Sequence, residues 1–155
     1  MMTEQPIQFC TFYVENLFLG IDVQQVQEVI RYQEMTRVPL AAPAISGLIN
    51  LRGQIVTAID LRVRLGLPAR PAGEQPMNVV VRDGDAAVSL LVDRIGDVLE
   101  VNDAEFERPP STIRPSMRGL ILGAYKLPEE LLLVLDTAQT VTENELRSAE
   151  TRLAV

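Results

Sequence analysis

Residues 45–67 read ISGLINLRGQIVTAIDLRVRLGL and contain two short apolar segments separated by a tight turn. The turn lies near Arg52 and Gly53, where glycine can adopt the positive φ that residues with a Cβ atom resist. The second segment is nearly apolar on both alternating faces, so we expect that strand to be enclosed, as in a small barrel. The stretch therefore predicts a buried β-hairpin that closes at Asp60.

Arg52 lies at the tip of this predicted hairpin, and two interpretations of it stay open. One is a solvated turn residue or a local salt bridge, because exposed arginines are common. The other is a fixed guanidinium that is presented to a carboxylate or to the backbone carbonyls of a partner.

Composition and charge exclude several classes of function. The chain has 155 residues with 14 Lys and Arg against 21 Asp and Glu, a net charge of −7 that disfavours non-specific binding to nucleic acid or anionic membranes. It contains no histidine, which removes Ser-His-Asp catalysis, His-ligated metals and phosphohistidine transfer. The length suits one domain or two small lobes that share a core. We expect no cofactor.

The sequence also indicates where the protein works. The first residues lack the basic and apolar regions of a signal peptide, and no apolar run approaches the roughly 20 residues that span a bilayer. The single cysteine, Cys10, cannot form an internal disulfide and is expected to be a small core residue. We therefore expect a cytoplasmic protein that does not insert into membranes.

The first half begins with two predicted strands, residues 7–14 and 17–23. The next segment, residues 24–30, predicts a short helix or a single helical turn, because its apolar residues recur at helical spacing. In that helix Val29 is expected in the core, whereas Val26 could belong to the core or to a binding surface.

The second half repeats this organisation after a Pro- and Gly-rich loop at residues 66–76. In each half, a strand that ends in Asp is followed by a Gly-Leu-Ile hairpin that closes on another Asp. These residues are Asp22 and Asp60 in the first half and Asp93 and Asp136 in the second. The pattern predicts an internal duplication and two similar β lobes packed together.

The approximate lobe ranges are 7–66 and 77–136, allowing for exchange of strands between the lobes. Beyond them, residues 142–153 carry apolar residues at helical spacing with charges between, which predicts an amphipathic C-terminal helix.

Two carboxylate patterns contain the residue types of an acid–base or calcium site. The duplicated Asp and the segment LLLVLDTA at 131–138 superficially resemble aspartic proteases, but Ala138 occupies the glycine position and Leu61 follows the other Asp. An Asp that caps the turn after each strand is the simpler interpretation. The acidic stretch that begins at Asp93 and ends at Glu107 lacks the spacing of a calcium loop and is interpreted as a solvated face, with an electrostatic match to a basic partner as the alternative. With no visible catalytic residues, the chain is predicted to be a binding module and not an enzyme.

Four segments in order resemble the CheW family of chemotaxis adaptors. They are the hairpin at 45–67, GIDVQQVQEVI at 20–30, LLVDRIGDVLEV at 90–101, and MRGLILG with LLLVLDT near the end. The resemblance covers about residues 7–140 and implies a single CheW-like domain followed by a C-terminal helix or tail at 141–155. It implies two five-stranded, SH3-like β barrels packed on a shared hydrophobic core, with no catalysis.

The resemblance also implies partners: the cytoplasmic signalling tips of chemoreceptors and the regulatory domain of the histidine kinase CheA. In the family, the helical hairpin of the receptor tip lies in the groove between the barrels. The matching positions here are Val26, Glu28, Asn50, Arg52, Gly53, Ile95 and Val98. The aliphatic residues would give apolar contact, Arg52 would be a directional donor, and Glu28 would hold Arg52 or meet a receptor cation.

This sequence departs from the family pattern at several places. Ser89 stands where many members have Gly, Thr57-Ala58 replaces a Pro-Val-like pair, and YKLPEE at 125–130 lengthens the second hairpin. These departures leave open whether the chain is the main chemotaxis adaptor or a paralogue that serves another chemosensory array. A second hypothesis is a CheW-like paralogue that binds the kinase without the receptor and modulates array assembly.

Overall fold

The computed structural model describes residues 6–84 and 86–141, which form ten strands and two one-turn helices. The strands are β1 (Ile7–Val14), β2 (Leu17–Asp22), β3 (Val26–Ile30), β4 (Ile45–Leu51), β5 (Gln54–Asp60), β6 (Met77–Asp83), β7 (Ala86–Val92), β8 (Arg94–Val101), β9 (Ile121–Lys126) and β10 (Leu131–Leu135). The helices are α1 (Leu61–Arg64) and α2 (Thr137–Thr140), and 3-10 turns cover Val23–Gln25, Asp103–Glu105 and Pro115–Met117. The C-terminal helix predicted at 142–153 lies outside the described residues.

The strands form two five-stranded sheets with the same internal plan. The first sheet has the order β8-β1-β2-β10-β9 and the second has the order β3-β6-β7-β5-β4. Each contains one parallel pair, β2 with β10 and β5 with β7, and the other neighbours are antiparallel. The prediction of a mainly β fold with two five-stranded units is confirmed. None of the helices in the described ranges has the length and apolar character needed to cross a membrane.

The two sheets exchange strands between the repeats seen in the sequence. After the hairpin of β1 and β2, the chain crosses over so that β3 pairs with β6 in the second sheet. After the hairpin of β6 and β7, the chain crosses back so that β8 pairs with β1 in the first sheet. The sheets therefore do not follow the approximate ranges 7–66 and 77–136, since each sheet takes two strands from one repeat and three from the other.

The prediction of a short helix over residues 24–30 is wrong for most of that segment. A three-residue 3-10 turn precedes Val26, but the chain from Val26 to Ile30 is strand β3. Its pairing with β6 skips Gln27, a β-bulge that places Val26 opposite Val81 and Val29 opposite Val79. The bulge puts residues three apart on one face, which imitates the spacing of a helix. Val29 is also not a core residue, because 39% of it is exposed.

A shared hydrophobic core lies between the two sheets. The first sheet contributes fully buried residues such as Phe12 and Leu19, and the second contributes Ile59, Val79 and Leu90. Two smaller clusters lie on other faces, one around Phe9, Phe18 and Tyr125 and one around Ile49, Val56 and Val80. Removal of this apolar surface from water is the main force that holds the two sheets together.

Candidate partner-binding site

The β4–β5 hairpin has a two-residue turn made of Arg52 and Gly53. Their φ angles are 54° and 87°, so both residues occupy the left-handed region, as a type I′ turn requires. The side-chain oxygen of Asn50 accepts a hydrogen bond of 2.8 Å from the backbone N–H of Gly53. The predicted turn is confirmed, and Asn50 and Gly53 set the direction in which Arg52 leaves the hairpin.

Arg52 forms an ion pair with Glu28 of β3. The Arg52 side chain remains 67% exposed, whereas that of Glu28 is 22% exposed. The amide of Gln27 donates a further hydrogen bond of 3.4 Å to the same carboxylate oxygen of Glu28. Because β3 and β4 are the two edge strands of the second sheet, this pair links its edges at the tip of the hairpin.

The ion pair shifts the proton affinity of both partners. The hydrogen bond from Arg52 holds the pKa of Glu28 below its ordinary value, against a smaller desolvation effect. The same bond raises the pKa of Arg52. Both groups therefore remain charged at neutral pH, and the guanidinium is held in place while most of its surface faces solvent. The local salt bridge is therefore present, and presentation of the Arg52 guanidinium to a partner stays a prediction.

Ile95 and Val98 lie on β8, an edge strand of the first sheet, and are 37% and 56% exposed. Ile95 is opposite Phe12 of β1 and Val98 is opposite Cys10. Directly paired residues point to the same side of a sheet, and Phe12 belongs to the shared core. Ile95 and Val98 therefore occupy the face of the first sheet that is turned toward the shared core, at its exposed margin.

Val26 occupies the corresponding place on the second sheet. It is half-buried against the shared core, opposite Val81, with Val29 three residues further along the same face. The structure therefore brings the predicted residues together in two groups. Val26, Glu28, Asn50, Arg52 and Gly53 lie on the second sheet, whereas Ile95 and Val98 lie on the first.

Sequence reasoning missed a buried polar cluster around Asp93. Arg62 of α1 donates to its carboxylate through Nε at 3.0 Å and Nη2 at 2.6 Å, and Arg70 donates through Nε at 2.9 Å. The backbone N–H of Glu15, in the β1–β2 turn, donates to it at 2.6 Å. Asp93 is the only residue between β7 and β8. The interpretation of Asp93 as part of a solvated face is therefore wrong.

The partners of Asp93 decide its charge. Burial by itself would raise the pKa of Asp93, but the hydrogen bonds from Arg62, the Glu15 N–H and Arg70 together outweigh burial, so the pKa lies below its ordinary value. Arg62 is 7% exposed, and its Nη1 also donates to the carbonyls of Pro68 and Ala69. The cluster ties α1 and the 66–76 loop to the crossover between the sheets.

The two Asp residues that resembled a protease pair are helix caps. Asp60 accepts a hydrogen bond of 3.0 Å from the N–H of Arg62 at the start of α1. Asp136 accepts one of 3.2 Å from the N–H of Gln139 at the start of α2. The prediction that Asp caps the turn after each strand is confirmed for both residues.

Ser89, one of the departures from the family pattern, makes a buried hydrogen bond. Its hydroxyl donates to the side-chain oxygen of Asn78 at 2.6 Å, and the Asn78 amide donates to the carbonyl of Arg31 at 3.1 Å. Ser89 and Asn78 are 0% and 1% exposed, so these two hydrogen bonds satisfy polar groups that water cannot reach.

Comparisons with known proteins agree on one family. The model of the CheW-like domain matches residues 8–145, so the chain belongs to the CheW-like domain family. It is 32% identical over 138 residues to the chemotaxis protein CheW of Bacillus subtilis, covering 89% of this chain and 88% of that protein. It is 30% identical over 139 residues to the chemotaxis protein CheW of Klebsiella aerogenes, covering 90% and 84%.

The fold comparison gives the same result. The crystal structure of the scaffolding protein TtCheW from Thermoanaerobacter tengcongensis matches with a TM-score of 0.80 and 25% identity, covering 91% of this chain and 96% of that chain. The description of the two units as SH3-like lobes fits this fold. The chain is therefore a chemotaxis scaffold of the CheW family, which is non-catalytic, and the prediction that it is not an enzyme is confirmed.

Proposed function

We propose that this protein bridges the cytoplasmic signalling tips of chemoreceptors and the regulatory domain of a CheA-type histidine kinase. It acts in the cytoplasm and joins membrane-bound receptor arrays through these partners, with no nucleic acid, cofactor or membrane insertion involved. The proposal rests on membership of the CheW-like domain family over residues 8–145.

The observation that carries the receptor half of the proposal is the held, exposed guanidinium of Arg52. Glu28 orients it from β3, the opposite edge strand of the sheet, yet the Arg52 side chain stays 67% exposed. A planar donor that is oriented before binding loses less entropy when it meets a carboxylate or carbonyl oxygens than a freely rotating one.

Apolar side chains on the two sheets supply the rest of the receptor contact. Val26 of β3 and the pair Ile95 and Val98 of β8 face the shared-core side of their sheets. A groove with apolar margins and one fixed cation suits an amphipathic helical hairpin that carries acidic or carbonyl oxygens. In our proposal all seven site residues, Val26, Glu28, Asn50, Arg52, Gly53, Ile95 and Val98, serve this one contact.

Each contact is expected to be weak by itself. We expect dissociation constants of about micromolar order for the separate partners, with the repeated contacts of an array supplying stability through effective concentration.

The test is a paired titration by isothermal calorimetry. The full-length protein is titrated with a receptor signalling-tip fragment and, separately, with the kinase regulatory domain, both from the same genome. Binding to both is the expected result. Binding to the kinase domain alone would instead identify a modulator of array assembly and would remove the basis for the receptor site.

A further inference from the structure

Ile95 and Val98 form an exposed strip on β8, and their arrangement depends on a β-bulge. Between the pairs Cys10–Val98 and Phe12–Ile95, a single residue of β1, Thr11, is opposite two residues of β8, Gly96 and Asp97. Without the extra residue, Ile95 and Val98 would point to opposite sides of the sheet, because strand side chains alternate. The bulge is therefore what places both aliphatic side chains on the shared-core side.

A hydrogen bond from Thr11 and the lack of a side chain at Gly96 accommodate the bulge. The hydroxyl of Thr11, which is 2% exposed, donates a hydrogen bond to the carbonyl of Asp97. Gly96 leaves room for that hydroxyl, because a Cβ atom on residue 96 would lie 2.5 Å from Thr11 Oγ1. The next nearest atoms, Phe18 Cε1 and Thr11 Cβ, would be at an ordinary 3.5 Å. The Thr11 hydroxyl is thus the one atom that a Cβ at position 96 would overlap, so one of the two must shift to accommodate it.

We propose that Thr11 and Gly96 are positioning residues of the partner site, which fix Ile95 and Val98 for contact with the receptor tip. This inference rests on the proposed function. Thr11 faces away from the shared core and does not itself belong to the contact surface, since its neighbours Cys10 and Phe12 are the residues that share the face of Val98 and Ile95.

The test is a double-mutant cycle on the full-length protein, with affinity for the receptor signalling-tip fragment as the readout. Gly96→Ala alone forces Thr11 or the bulge to move, and we expect affinity to fall at least about tenfold, as when one apolar contact is lost. In a Thr11→Ala background the obstructing hydroxyl is absent, so adding Gly96→Ala should change affinity less than about threefold. Gly119→Ala is the matched control, because no atom lies within 4 Å of the Cβ it would add.

Two further readouts separate positioning from a general loss of structure. Affinity for the kinase regulatory domain and the melting temperature are measured for every variant, and a positioning role predicts that tip affinity falls much more than either. Thr11→Val keeps the shape of the side chain but removes the hydrogen bond to Asp97, and should weaken tip binding by about threefold if Gly96→Ala proves too unstable to purify.

The outcomes distinguish the two proposals. If wild-type protein does not bind the tip fragment, the proposed receptor function is overturned and this inference with it. If wild-type protein binds but Gly96→Ala and Thr11→Val bind equally well, only the role of the bulge is overturned. A parallel loss of tip affinity, kinase affinity and melting temperature would show that Thr11 and Gly96 are purely structural.

Discussion

The two crossovers between the sheets make the same topological step with different chemistry. At the first, Asp22 ends β2 and accepts a local hydrogen bond of 2.9 Å from the N–H of Gln24, two residues on. At the second, Asp93 directly follows β7 and accepts hydrogen bonds from groups 78, 31 and 23 residues away in sequence. One crossover is a local cap and the other joins distant parts of the chain, so equivalent residues of a duplicated fold need not contribute equally.

The two crossovers also lead into the two parts of the proposed partner site. The strand after the Asp22 crossover carries Val26 and Glu28, and the strand after the Asp93 crossover carries Ile95 and Val98. Ile95 therefore lies two residues after Asp93, whose hydrogen bonds fix the start of β8 relative to the β1–β2 turn and α1. We expect the geometry of the site to depend more on Asp93 than on Asp22.

The largest expected effect is on stability at Asp93. Asp93→Asn leaves Arg62 and Arg70 without their carboxylate, and should lower the free energy of unfolding by about 3 kcal/mol, as when a buried ion pair loses one partner. Asp22→Asn keeps a capping group and should lower it by less than about 1 kcal/mol. Urea unfolding of both variants measures the contrast, and equal losses would contradict the distinction between the two crossovers.

The free energy of unfolding should also depend on pH through the ionisation of Asp93. Because the folded pKa of Asp93 is depressed, its contribution is fully present above its unfolded pKa of about 3.9 and is lost as pH falls through the folded value. The difference in unfolding free energy between wild type and Asp93→Asn should therefore be constant from pH 7 to about pH 5 and shrink below about pH 4. Urea unfolding across this range is the measurement, and a difference that stays constant down to pH 3 would argue against the ionised cluster.

A third prediction compares the interiors of the two sheets. Ser89 and Phe18 occupy equivalent positions in the two repeats, because each lies four residues before the Asp at a crossover. The second sheet therefore has the Ser89–Asn78 hydrogen bond where the first sheet has an aromatic side chain. Ser89→Ala should cost about 1–3 kcal/mol, because the Asn78 oxygen is left buried without a donor. Ser116→Ala, which removes a hydroxyl bond to the Leu65 carbonyl at an exposed residue, is the control and should cost less. A smaller loss for Ser89 than for Ser116 would be inconsistent with a buried polar pair.

The smallest expected effect on stability is at the hairpin tip. Arg52→Ala removes an exposed ion pair and should shift the melting temperature by less than about 2 °C, while receptor-tip affinity falls about tenfold. Arg118→Ala, a change of an exposed arginine outside the site, should alter neither quantity. A large drop in melting temperature for Arg52→Ala would show that Arg52 is mainly structural.

The sequence predicts local features of this fold well. The turn at Arg52 and Gly53 is indicated by Gly53, which accepts positive φ, and the capping roles of Asp60 and Asp136 follow from their places after strands. The positive φ of Arg52 is not indicated by its residue type. The duplication is also visible in the spacing of the Asp residues. These features depend on neighbours along the chain, and so a single sequence contains the information for them.

Features that depend on distant pairing could not be predicted. The bulge at Gln27 is defined by the register of β3 against β6, and from spacing alone it is indistinguishable from a helical turn. The same holds for the bulge at Gly96 and Asp97 on β8. The charge cluster on Asp93 was missed because Arg62 and Arg70 meet it only after the crossover has folded.

The central claim is that one molecule joins a receptor tip and a kinase regulatory domain at the same time, and a ternary assembly measurement tests it most directly. Receptor-tip fragment and kinase regulatory domain are mixed with and without the protein and followed by sedimentation velocity. We predict a ternary species only when the wild-type protein is present, and a kinase complex without receptor when Arg52→Ala replaces it. Mutually exclusive binding of the two partners to the wild-type protein, with no ternary species at any ratio, would contradict the claim.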